Sequence, residues 1–199
     1  MIARAAVAVT CALAASSTAL AADNPLSRAI PLVDGASACF ARNYDAAHLK
    51  QHALQKTQAV LLSLRFEEDA GNHIIRVMLR EKNRPAPLYI VGVCGWSDKA
   101  NLGVDNKPLI AAFKATSGLD CHAYAGLRTD EEGGDFPVDF AEDGKSLTLY
   151  VFDQVAAWLG TNQRKGTVGA NLGVDDLIFR LDRVDAVACR ALERLQGKQ

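Results

Sequence analysis

Two stretches of the chain alternate apolar and polar positions with a period of two. In Thr57–Phe66, Val60, Leu62, Leu64 and Phe66 share one parity, with Leu61 the exception. In His73–Arg80, Ile75, Val77 and Leu79 take one face, and Arg76 and Arg80 the other. This alternation predicts antiparallel strands with one wet face. The polar run from Glu67 to Asn72 predicts the hairpin loop between them. Leu88–Cys94 is nearly all apolar, which predicts a strand central to the sheet. Strands are also expected over Asp120–Ala125, Phe136–Phe140, Ser146–Phe152 and Leu177–Leu181, and Val155–Leu159 reads as either a strand or a helical turn. Phe136–Phe140 and Ser146–Phe152 form a hairpin about Asp143-Gly144, because glycine accepts positive φ and aspartate tolerates it.

Helical patterns are short. Ala46–Leu54 can be capped by Asn43 or Asp45. Leu109–Ala115 follows Pro108 and ends near Gly118. Val184–Leu195 is amphipathic and carries Cys189. Asp23–Ala38 contains Pro25, Pro31 and Gly35 and reads as a lead-in without an element of its own. Thr161–Asn171 reads as a flexible, glycine-rich connection. The order suggests two similar α-β-β-β halves meeting at the stretch from Cys94 to Cys121. The expected fold is α+β: a mostly antiparallel sheet or partly closed barrel with short flanking helices, a C-terminal helix and two disulfides.

One internal repeat stands out. Ala100-Asn101-Leu102-Gly103-Val104-Asp105-Asn106 returns nearly unchanged as Ala170-Asn171-Leu172-Gly173-Val174-Asp175-Asp176. The repeat stops at its flanks and falls at different places in the two proposed halves. Its chemistry is that of a turn: Asn, Gly and Asp reverse the chain while Leu and Val pin it to a core.

The N-terminus changes the setting. Arg4, the apolar run Ala5–Leu20 and the small-x-small site Ala19-Leu20-Ala21 have the form of a secretory signal peptide over residues 1–21. That leaves 22–199 as one exported domain, periplasmic or secreted. Cys39, Cys94, Cys121 and Cys189 remain, an even count that favours two disulfides in an oxidising compartment. Of the three pairings, Cys94–Cys121 as a local clasp and Cys39–Cys189 as an end-to-end tie are preferred. No C-x-x-C spacing points to a four-thiolate zinc site. The formal net charge of −1 becomes −2 once Arg4 leaves with the leader. Such a mixed surface argues against nucleic acid or anionic membrane as a partner. No second apolar stretch is long enough to span a bilayer as a helix.

Candidate chemistry is sparse. His48 and His52 stand four apart on a predicted helix, one turn after Asp45, a spacing that could ligate a transition metal such as zinc. Asp130, Glu132 and Asp135 crowd carboxylates into a glycine-rich loop that could take calcium, although the spacing is not that of an EF-hand. His73 and His122 could serve as bases, but no G-x-S-x-G supplies a nucleophile. Trp96, Tyr124 and Trp158 lie at predicted strand ends or loops, where exposed rings mark binding surfaces. For Trp96, burial against the neighbouring disulfide is the preferred placement. The leading functional expectation is a non-catalytic binding or interaction module for an envelope protein or small ligand. A calcium or zinc module and a hydrolase of unfamiliar type are the alternatives.

Overall fold

A computed structural model describes residues 25–98, 117–126, 132–151, 154–162, 166–170 and 172–195. The expected helix over Leu109–Ala115 and the first copy of the repeat lie outside these residues.

Among the described residues, eleven strands form one sheet: β1 (Ser37–Asn43), β2 (Thr57–Glu67), β3 (Asn72–Glu81), β4 (Leu88–Asp98), β5 (Ser117–Tyr124), β6 (Glu132–Asp135), β7 (Val138–Phe140), β8 (Ser146–Tyr150), β9 (Val155–Leu159), β10 (Val168–Ala170) and β11 (Ile178–Val184). The order β4-β3-β2-β1-β11-β8-β7-β5 closes on itself where β5 pairs with β4. Every pairing is antiparallel, so the molecule is an eight-stranded up-and-down barrel. The β9–β10 hairpin leaves the barrel and pairs with the start of β4, and β6 lines the outer edge of β5.

Alternation decides what fills the barrel. The parity holding Val60, Leu62 and Leu64 on β2 and Ile75, Val77 and Leu79 on β3 points inward, together with Phe40, Leu88, Ile90, Leu119, Leu147, Leu149, Phe179 and Leu181. Eight strands enclose a lumen just wide enough for side chains to fill, and these fill it. Helix α1 (Pro25–Ala29) stoppers one end: Leu26, Ala29 and Ile30 are buried in the same core. Arg28 Nη1 donates to Glu142 O at 2.7 Å. The β7–β8 turn approaches α1 so closely that a Cβ on Gly144 would lie 2.8 Å from Ala29 N, and Gly144 has φ +67°. The expected hairpin at Asp143-Gly144 is therefore present. The segment read as an element-free lead-in instead contributes this helix and the start of β1. It carries Leu26, Ala29 and Ile30 into the core, a packing role its prolines and Gly35 conceal.

A second apolar cluster covers the outside. The C-terminal segment is a 3₁₀ turn (Ala186–Cys189) running into one turn of helix, α3 (Arg190–Glu193), shorter than the expected Val184–Leu195 helix. It lays Leu192 and Leu195 over Val91 and Trp158, with Leu61, Ile74, Met78 and Tyr89 packed around them. Leu61, the apparent exception to the β2 pattern, is one of these outward apolar residues. Arg76 was expected on a wet face, yet it is buried under this strap, where its Nε donates to Leu195 O at 2.7 Å. Burial lowers the pKa of the Arg76 guanidinium from its ordinary value.

Both preferred disulfides are present. Cys39–Cys189 pins the strap to β1 on the outside, across a separation of 150 residues. Cys94–Cys121 joins directly opposed residues of β4 and β5 on the inside. The proposed two-half arrangement is not the one adopted: the strands form one continuous meander whose first strand pairs with its last. Thr161–Asn171 also departs from expectation, since Val168–Ala170 is a strand pairing with β9.

Candidate functional site

The barrel end opposite α1 carries a polar cleft of about 480 Å³. Two connections build it. The first is α2 (Ala46–Gln51), which carries the chain from β1 to β2. Asp45 is its N-cap, accepting a hydrogen bond from His48 N at 2.8 Å, as one of the two expected caps should. The second is the 3₁₀ turn Val174–Asp176, which delivers the chain into β11.

Asp176 locks the two connections together. Its carboxylate is fully buried and accepts from Lys56 N at 2.7 Å and Thr57 N at 3.1 Å, the start of β2. Gly173 passes against Leu54 so closely that a Cβ would sit 2.6 Å from Leu54 O. Leu172 packs on the core. The second copy of the repeat is thus a structural turn: its Gly allows the close approach, its Leu anchors it and its last Asp ties it to a neighbouring strand.

One wall of the cleft is a ladder of rings. Tyr44 and His48 stack at 4.7 Å and 27°, and His48 and His52 at 4.3 Å and 23°. The i, i+4 spacing on α2 sets the histidines one above the other. Arg42 ends the ladder, its guanidinium 5.8 Å from the Tyr44 ring centroid. Burial raises the pKa of the Tyr44 hydroxyl, with Arg42 opposing and Asp176 adding to the rise. Gln55 fixes the tautomer of His48. The Gln55 Nε2 donates to Thr57 O at 2.8 Å, so its Oε1 must accept from His48 Nε2 at 2.9 Å. The proton of neutral His48 is therefore on Nε2, and its Nδ1 is an acceptor.

The other wall comes from β11 and the turn before it. Ile178, Arg180 and Asp182 share the outward parity of β11, opposite Phe179 and Leu181 in the core. Arg42 Nη1 donates to Asp182 Oδ2 at 3.4 Å, an exposed and weak pair. Asp175 completes the lining.

The metal geometry expected of His48 and His52 meets specific obstacles. A ring nitrogen's lone pair lies in the ring plane, so two nearly parallel stacked rings direct their lone pairs side by side rather than onto one ion. Asp45 is occupied as the helix cap. Among the described residues, no group of three or more His, Cys, Asp or Glu side chains is placed to hold a metal ion. For the expected calcium loop, Asp130 lies outside the described residues. Glu132 and Asp135 begin and end strand β6 rather than a free loop. Asp135 Oδ1 lies 2.6 Å from His122 Nδ1, while His122 Nε2 lies 3.6 Å from Asp120 Oδ2. Burial raises the pKa of Asp120, with His122 opposing. Cys121 is in a disulfide, so no thiol nucleophile stands beside this histidine.

The other candidates separate. His73 is buried beside Phe66, ring centroids 5.2 Å apart, with its Nε2 unpartnered. Burial lowers its pKa. Trp158 is not a surface ring: it is 1% exposed beneath the C-terminal strap. Its place near a predicted strand end marked it as an exposed ring, but the strap covers that face of β9. Trp96 is the reverse case, 38% exposed instead of buried against the disulfide. Tyr124 is half-buried at the margin of the outer cluster, and burial raises its pKa.

Sequence reasoning found His48 and His52 but missed Arg42, Tyr44, Arg180 and Asp182, which complete the cleft. The available signal was the polar parity of Ile178-Phe179-Arg180-Leu181-Asp182, whose outward side could have been tested against the α2 face. No protein-family model matches the chain, and no curated protein or solved structure matches it significantly.

Proposed function

We propose that this chain is an exported, non-catalytic binding module that holds a small polar ligand in the cleft between α2 and β11. The observation that carries the reading is the cleft itself. Two arginines, two carboxylates and a three-ring ladder, drawn from segments more than a hundred residues apart, converge on a space of about 480 Å³. That volume lies in the range of small-molecule sites. The filled lumen favours the rim over the interior as the place where a ligand sits.

Export is supported by the leader-like N-terminus and by two disulfides, which persist in oxidising compartments. Among the described residues no helix is long and apolar enough to cross a membrane. The test is an amide-shift survey of the disulfide-bonded protein against a library of small charged and aromatic compounds. Binders should move resonances of Arg42–Gln55 and Asp175–Asp182 together. A library whose hits leave both segments still would overturn the reading.

A further inference from the structure

We infer that the cleft takes a free aromatic amino acid, held as a zwitterion. The inference rests on the cleft being a binding site and names the class of ligand for it. Its basis is an imbalance among the charges that line the space. Arg42 and Asp182 satisfy one another. Arg180 and Asp175 do not: among the described residues neither side chain has a hydrogen bond or ion pair, with each other or with anything else, yet both face the same cleft. The site thus offers one unspent guanidinium and one unspent carboxylate, separated by a gap.

A ligand carrying one carboxylate and one ammonium complements that pair. The guanidinium presents a planar fork of donors that matches a carboxylate. Asp175 accepts from an ammonium. Phosphates and other polyanions suit the site poorly, because the lining holds as many carboxylates as guanidiniums and Asp175 would repel the charge that Arg180 attracts. The rest of the lining selects the side chain. The ring ladder ends in exposed His52, whose outer face offers a stacking platform. Ile178, 41% exposed, lines the same cleft and offers the edge of an aromatic ring an apolar contact on an otherwise polar mouth.

The experiment is calorimetry, with amide shifts as a second readout, on the full disulfide-bonded protein. The probes are phenylalanine, tyrosine and tryptophan, compared with phenylacetate, which lacks the ammonium, phenethylamine, which lacks the carboxylate, alanine, which lacks the ring, and adenosine monophosphate. An aromatic amino acid should bind about tenfold or more tightly than each truncated probe, as expected for the loss of one charged contact. Arg180→Ala and Asp175→Asn should each weaken it by about tenfold, and Arg180→Lys by less. Arg183→Ala, on the same strand but outside the cleft, should change nothing. Equal binding of phenylalanine and phenylacetate would overturn the zwitterion. Preference for the nucleotide would overturn the amino acid. Library hits that move the cleft resonances while the amino acids do not would sink this inference and leave the binding reading standing. No cleft response to any compound would sink both.

Discussion

Replacing Asp176 with alanine tests whether the second repeat fastens the rim of the barrel. The Asp176 carboxylate is fully buried and accepts two backbone hydrogen bonds, from Lys56 N at 2.7 Å and Thr57 N at 3.1 Å. A hydrogen bond to a charged group contributes about 1.5–3 kcal/mol, so two set a ceiling of about 6 kcal/mol. Alanine also relieves the cost of holding a carboxylate away from water, which offsets part of that loss. Thr57 is itself 0% exposed, so water cannot readily serve the amide left behind. The balance is a destabilisation of about 3 kcal/mol, and a Tm lower by about 6–12 °C for a chain of this size. Asp176→Asn keeps one acceptor oxygen but turns an NH₂ toward an N–H donor, and should lose about half as much. Equilibrium urea unfolding followed by the fluorescence of buried Trp158 measures these differences. Asp175→Ala is the control, because among the described residues the neighbouring carboxylate has no partner, and it should shift stability by no more than about 0.5 kcal/mol. If Asp176→Ala and Asp175→Ala behave alike, the carboxylate is not the fastening and the account of the repeat is wrong.

In urea unfolding followed by circular dichroism, Trp158→Ala should cost about 3–5 kcal/mol, whereas Trp96→Ala should cost less than about 1 kcal/mol, since only the first empties a packed site. A Trp96 variant as damaging as the Trp158 one would contradict their burial. His73 is held neutral by burial, its pKa below the ordinary value, so the unfolded chain takes up a proton that the folded chain resists. Its contribution is complete above about pH 6.5 and declines as pH falls through that value toward the folded pKa. Differential scanning calorimetry between pH 7.5 and 5 should show this slope reduced in His73→Leu, and an unchanged slope would refute it. Replacing Cys39 and Cys189 together by serine should destabilise more than replacing Cys94 and Cys121. Separations of 150 and 27 residues imply about 5 and about 3.5 kcal/mol in the loop-entropy account. The reverse order in urea midpoints would show that native packing around the inner bridge dominates.

Local chemistry was legible and non-local chemistry was not. The β2–β3 hairpin follows from residues adjacent in sequence, because Val60, Leu62 and Leu64 must all be dry at once. The Asp143-Gly144 turn follows from what two residues can do with φ. Strand β1 was lost because Ser37–Asn43 buries both parities: Phe40 points into the lumen and Cys39 lies beneath the strap. Two dry faces erase alternation, and Ser37, Ala38 and Ala41 supply no run of large apolar residues in its place. Arg76 misled for a related reason, since a charged residue read as solvent-facing is covered by residues more than a hundred positions later. The cleft was half visible. The spacing of His48 and His52 places them together on a helix, but only closure of the barrel brings β11, and with it Arg180 and Asp182, to face them.

The pairing of β1 with β11 has a consequence for how the chain can fail. A barrel has no edges only while its seam is shut, and this seam joins the first strand to the last. The seam partners, Phe40 and Arg183, lie at opposite ends of the described chain, so this contact carries the largest loop-closure cost and forms late. Until then β1 and β11 each offer a bare row of donors and acceptors to any strand that passes. A chain cut short before Ile178 would not settle into a smaller barrel. It would hold an open sheet with two exposed edges and seek its missing strand in its neighbours, so the last strand is what keeps the chain from polymerising.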